Sequence, residues 1–213
     1  MLFAAAVIVV VIVTQHKSAS GGGGCGSANA NWCKPELAEA KQISGVTYKQ
    51  EPNHTHVDGV VHYDATPPIG GDHNAFWADC DGTVYPAAIA SENAVHALEH
   101  GAVWVTYREG LPANEVATLA KNVTGQQKVF MSPYPGLQSK VSLQAWGYQL
   151  FVNSVTDPRI AQFIATLANN PSITPENTGC AQPTFKAHPS TFGQPLSAPV
   201  AGSANTMPGS TSP

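Results

Sequence analysis

Charge is scarce in this chain: 11% of its 213 residues are Asp, Glu, Lys or Arg, and the net charge is -4. A nucleic-acid-binding surface needs clustered Lys and Arg to displace counterions from phosphates, and ten such residues against fourteen acids supply none. Nucleic acid is therefore excluded as a partner. Cysteine is also sparse. The four present, Cys25, Cys33, Cys80 and Cys180, form no C-x-x-C pair, which argues against zinc ribbons and thioredoxin-like redox motifs. Long apolar runs are limited to one, Met1 to Val13, shorter than the roughly 20 residues that span a bilayer core.

That run lacks a preceding basic residue, so it is no complete signal peptide; residues 1–16 are expected to be a truncated signal anchor whose true start lies upstream. Residues 17–33, with Gly21 to Gly24 at their centre, have linker composition, and residues 187–213 form a Pro/Ser/Gly-rich tail with too little apolar content to fold. A globular domain is expected over 34–186. The cysteines suit disulfides; of the three possible pairings, the favoured one joins Cys80 to Cys180 across the domain and Cys25 to Cys33 outside it. That implies an oxidising, extracytoplasmic compartment. The expected location is the cell membrane, single-pass, with the domain on the extracytoplasmic side.

Within the domain, Pro35 to Gln42 reads as a short helix, and Ser91, with Glu92 in the first turn, reads as the N-cap of a second that Gly101 stops. Val103, Val105 and Tyr107 alternate with Trp104 and Thr106 as in a strand. A helix is expected from Leu111 to Asn122, strands over 127–131 and 141–146, the latter continuing past Gly147, and a last helix opened by Asp157-Pro158 with Ile160, Phe163, Ile164 and Leu167 on one face. This alternation predicts an α/β or α+β fold, a small mixed sheet with short flanking helices, loop-rich and disulfide-stabilised.

Histidine is concentrated. Six of the eight, His54, His56, His62, His73, His96 and His100, fall in one stretch. His96 and His100 share a helical face, where two imidazoles can meet one ion. Pro67-Pro68-Ile69-Gly70-Gly71-Asp72 delivers His73 from a loop. Met131 ends a strand; methionine commonly fills core, but if it joins the histidines its soft sulfur selects copper, particularly Cu(I), with zinc as the alternative. His54 and His56 sit two apart on an extended segment and, with His62, are candidates for a secondary metal site. Glu99 is expected to orient an imidazole or make a salt bridge. His96-x-x-Glu99-His100 also fits the H-x-x-E-H pattern of inverzincin peptidases, with Glu176 as the distant ligand, but Gly101 cuts the helix too short for that architecture.

The segments "HVDGVVHYDATPPIGGDH", "ENAVHALEHGAVWVTY", "SPYPGL" and "AWG", in this order between about Asn53 and Cys180, resemble an uncharacterised bacterial family catalogued as a domain of unknown function, whose members are commonly membrane-anchored and extracytoplasmic. The resemblance implies that His73, His96, His100 and Met131 are recurring residues of one site. The expectation is a tethered copper-handling protein with no catalytic residue, working with a metal-delivery partner. The alternatives are a cell-envelope interaction module, in which Trp77, Trp104, Tyr107, Tyr134 and Trp146 build the core or a partner surface, and a zinc-dependent hydrolase.

Overall fold

The computed structural model describes residues 34–194. The expected anchor, linker, Cys25–Cys33 pair and the tail beyond Gln194 lie outside the described residues. The elements run β1 (Thr47–Tyr48), β2 (Asp81–Val84), α1 (Ser91–Glu99), β3 (Val103–Arg108), α2 (Ala113–Ala120), β4 (Val129–Tyr134), β5 (Val141–Ala145), β6 (Tyr148–Val152), α3 (Pro158–Leu167) and α4 (Pro183–Ala187). They form one six-stranded sheet in the order β1-β6-β5-β3-β4-β2. β3, β4 and β2 are parallel, while β3–β5, β5–β6 and β6–β1 are antiparallel, so the mixed α/β architecture expected from the sequence is present.

Strand parity gives the sheet two buried faces. Val103 and Val105 of β3, Val129 and Met131 of β4 and Leu143 of β5 pack with Leu119 of α2 and Ile160, Phe163 and Leu167 of α3. Trp104 and Phe130, one residue out of phase, pack with Ala94, Val95, Ala97 and Leu98 of α1 and with Phe185 of α4. Side chains alternate across a strand, so adjacent residues are committed to different cores.

Several local expectations shift. Pro35–Gln42 yields only a single 3-10 turn, Ala40–Gln42. Ser91 is the first helical residue rather than the cap; the cap position is held by Ala90, which makes no side-chain capping bond. β4 continues through Pro133, which pairs with Tyr107 on one side, while on the other β2 ends opposite Met131; the missing proline N–H therefore interrupts no β2–β4 pairing. The strand expected to run past Gly147 instead turns back at Trp146-Gly147, with Ala145 facing Tyr148.

Asp157 caps α3 as its Asp-Pro start predicts, accepting from the Arg159 N–H at 3.0 Å. Gly101 ends α1 in a left-handed conformation, φ +86°, and a Cβ there would lie 2.4 Å from the Thr174 hydroxyl, so the stop is steric as well as conformational. Cys80 and Cys180, 100 residues apart in sequence, are joined with Cα atoms 5.1 Å apart. The chain beyond Lys186 stays on the domain as far as Gln194: Phe192 lies edge-on to Phe76 at 4.9 Å, and Gly193 accepts from the Asn93 amide at 2.7 Å. Among the described residues, no helix is long and apolar enough to cross a membrane.

Candidate metal centre

Three chain segments converge beside α1. The helix contributes His96, Glu99 and His100, spaced three and four apart and therefore on one side of it. The glycine-containing loop contributes His73, with Gly71 at φ +106°, a backbone that a side chain would strain. The extended segment before it contributes His54 and His56. His56 forms an isolated parallel bridge with His73, in which Val57 N–H donates to His73 O at 2.7 Å and His73 N–H to Thr55 O at 3.0 Å.

The hydrogen bonds fix the tautomers of the buried rings. Nδ1 lies 2.8 Å from Gly71 O in His73, 2.7 Å from Asn74 O in His96 and 2.9 Å from Gly179 O in His100. A carbonyl oxygen can only accept, so each Nδ1 carries a proton and Nε2 is the ring atom left to meet an ion. Orientation of imidazole through its far N–H is how proteins aim histidine at a metal ion.

His73 and Glu99 are 0% and 1% exposed. Nε2 of His73 is 2.9 Å from Oε2 of Glu99, a hydrogen-bonding distance, yet this buried nitrogen makes no hydrogen bond of acceptable geometry. This buried nitrogen is thus left unsatisfied beside a carboxylate oxygen, an arrangement that costs free energy unless a cation is shared between them. The other carboxylate oxygen of Glu99 lies 3.0 Å from Nδ1 of His54. The ring of His56 sits 5.0 Å from that of His73 and 4.8 Å from that of His96. Ligand atoms of His56, His73, His96 and Glu99 all lie within 4.8 Å of one another. A tetrahedral site with bonds of about 2.0–2.1 Å has ligand edges of about 3.3 Å, so side-chain rotations that contract the widest gaps would complete it.

Burial first, then the neighbouring His73 and His100 rings, pushes the His96 pKa down to about 3. Burial likewise lowers His100 to about 4. Both are neutral at pH 7, the form that ligates metal. Aromatic rings wall the site: Trp77 lies 4.9 Å from His100 and 5.5 Å from His96, and Trp146 stands edge-on to His73 at 6.2 Å. Trp104 stacks on Phe130 and meets Tyr134 deeper in the core, whereas Tyr107 belongs to the opposite one.

Of the residues expected to share a site, His73 and His96 come together and Met131 does not. Met131 is fully buried in the core under α2 and α3, on the other face of the sheet from α1. The parity that puts Phe130 toward the histidines turns Met131 away, correcting the His/Met ligand set and removing its sulfur. His100 adjoins His96, with ring centroids 4.6 Å apart, but stands outside the convergent group; its Nε2 is 3.7 Å from half-exposed Glu176. His54 and His56 reach the main cluster instead of forming a second one. His62 is exposed and lines a separate cleft of about 500 Å³ with Lys49, Glu51, Asp64 and Asp72. Glu99, expected as an orienting group, has an oxygen among the convergent ligand atoms. The H-x-H spacing was the available signal for His54 and His56; its destination was not readable.

Comparison with curated proteins and with solved structures found no match. The family model described as "Protein of unknown function (DUF3105)" matches residues 54–182, a segment that contains all the convergent histidines, Glu99 and both bonded cysteines. The chain belongs to this family of unknown function.

Proposed function

We propose that this protein is an extracytoplasmic metal-binding domain, tethered to the membrane by its N-terminal apolar segment, that holds one divalent ion through His73, His96, Glu99 and His56. The observation that carries the reading is the buried Nε2 of His73, 2.9 Å from Oε2 of Glu99 without a hydrogen bond, in a ring whose Nδ1–H is donated to Gly71. Three imidazoles and a carboxylate form a nitrogen-rich, sulfur-free set that suits zinc; the argument for Cu(I) required Met131. Four protein ligands fill a tetrahedral shell and leave no position for an activated water, which favours metal holding or transfer over hydrolysis. The disulfide supports an oxidising compartment, and transfer implies a partner that delivers or collects the ion.

Zinc and copper titrations of the metal-stripped full-length chain, beside His73→Ala and His96→Ala, test this. The expected result is one zinc per chain, lost in both variants. Wild-type protein that binds neither ion would overturn the proposal in favour of a disulfide-stabilised interaction module of the envelope.

A further inference from the structure

The proposed site is buried on three sides and exposed on one. His73, His96 and Glu99 are enclosed, and His56 is open to solvent. His56 belongs to a segment of unusual construction. Between β1 and β2 the described chain forms no helix or strand, only isolated bridge residues at His56, Gly59 and His73, and no residue from 44 to 66 is buried. The hold of this strap on the apolar core next to the site is through half-buried Tyr63, six residues past Val57. Near the site its attachments include polar ones: the two backbone bonds of the bridge, Thr55 N–H to Asp72 Oδ1 at 2.9 Å, Val61 N–H to Glu92 Oε1 at 2.8 Å, and His54 to Glu99 at 3.0 Å. Water can replace each of these at little net cost, so the segment belongs to the low-stability end of the molecule, where local opening is frequent.

The wall opposite the strap is different. His96 and Glu99 are on a helix packed against the sheet, and His73 follows Ile69, which is itself buried. We infer that residues 54–57 are a metal-fastened strap and that His56 is the exchange ligand, closing over the ion on loading and releasing first on transfer. This rests on the proposed metal site and adds its route of entry and exit. An ion bound by His73, His96 and Glu99 alone would keep one position open to solvent, where an incoming ligand from a donor or acceptor can attach before His56 closes or after it leaves. Because His56 and His73 are also paired through their backbones, fastening the ring should protect the bridge amides as well.

Hydrogen exchange of the full-length chain, metal-free and zinc-loaded, reads the strap directly; zinc release to a chelator in excess reads the exchange step. Zinc is expected to slow exchange at the Val57 and His73 amides by at least roughly tenfold. His56→Ala removes an exposed side chain and leaves the core intact, so the variant should fold. It should still bind zinc, lose the protection at Val57, and release the ion roughly tenfold or more faster than wild type, the scale on which metal sites respond to altered support. His62→Ala, exposed but outside the cluster, should behave as wild type. Zinc bound with no change in strap exchange, or His56→Ala releasing zinc at the wild-type rate, would overturn the strap while leaving the site. Failure of the wild type to bind zinc would overturn both.

Discussion

Replacing Glu99 by Gln should stabilise the metal-free protein and weaken its hold on metal, two effects of opposite sign from one atom. In the native chain, Oε2 of Glu99 and Nε2 of His73 lie 2.9 Å apart and buried with no hydrogen bond between them. A glutamine amide rotated into line there would donate to Nε2 of His73, while its oxygen still accepts from His54, 3.0 Å away on the other side. Satisfying one buried polar atom contributes about 1 kcal/mol. For a domain of this size, that raises the Tm by about 2–4 °C. Zinc should reverse the order. At a free concentration one hundred times Kd, the wild type gains about 2.7 kcal/mol, or about 5–11 °C, whereas Glu99→Gln has lost its anionic ligand and should gain little. Thermal melts of both proteins, chelator-treated and zinc-loaded, decide it. Were a proton shared between His73 and Glu99 as a buried ion pair, neutralising one partner would cost about 3–5 kcal/mol. A metal-free Glu99→Gln melting well below wild type would therefore refute the reasoning.

Met131→Leu should cost less than about 1.5 kcal/mol, as a near-isosteric core change, and leave metal affinity within about twofold of wild type; isothermal titration checks this, and a lost site would restore the sulfur to the ligand set. Acid should destabilise the metal-free fold through His96 and His100, whose folded pKa values lie near 3 and 4 against about 6.5 unfolded. Below pH 6.5 the unfolded chain takes up protons that the folded rings refuse. Stability is thus complete above that pH and falls toward pH 4 by up to about tenfold in the folding equilibrium per unit for each histidine; urea titrations at pH 7.5, 5.5 and 4.5 should show the loss, and flat stability would contradict it. Cys80→Ser with Cys180→Ser opens a link of 100 residues, for which chain entropy gives about 4–5 kcal/mol, measurable as a lower denaturation midpoint; an unchanged midpoint would show that the bridge constrains little.

The sequence by itself determined what periodicity and local sterics control. The alternation after Val103, the Asp-Pro start of α3 and the glycine stop of α1 each follow from neighbours a few residues away. The face shared by His96 and Glu99 does too, because helical spacing is a local property. The Cys80–Cys180 bridge was the favoured one of three possible pairings, because it brackets the compact domain. Which residues meet across the chain was another matter. Met131 and Phe130 are adjacent in sequence but belong to opposite cores, and only the sheet's position between α1 on one side and α2 and α3 on the other decides which of them faces histidine. His54 and His56 are read locally as a solvated H-x-H; the bridge to His73, 17 residues on, carries them to Glu99 and His96. A metal centre needs lone pairs converging at one point. Sequence spacing supplies the lone pairs within an element, and only tertiary packing, through carbonyls such as Gly71 O, Asn74 O and Gly179 O that fix each ring, turns them toward one another.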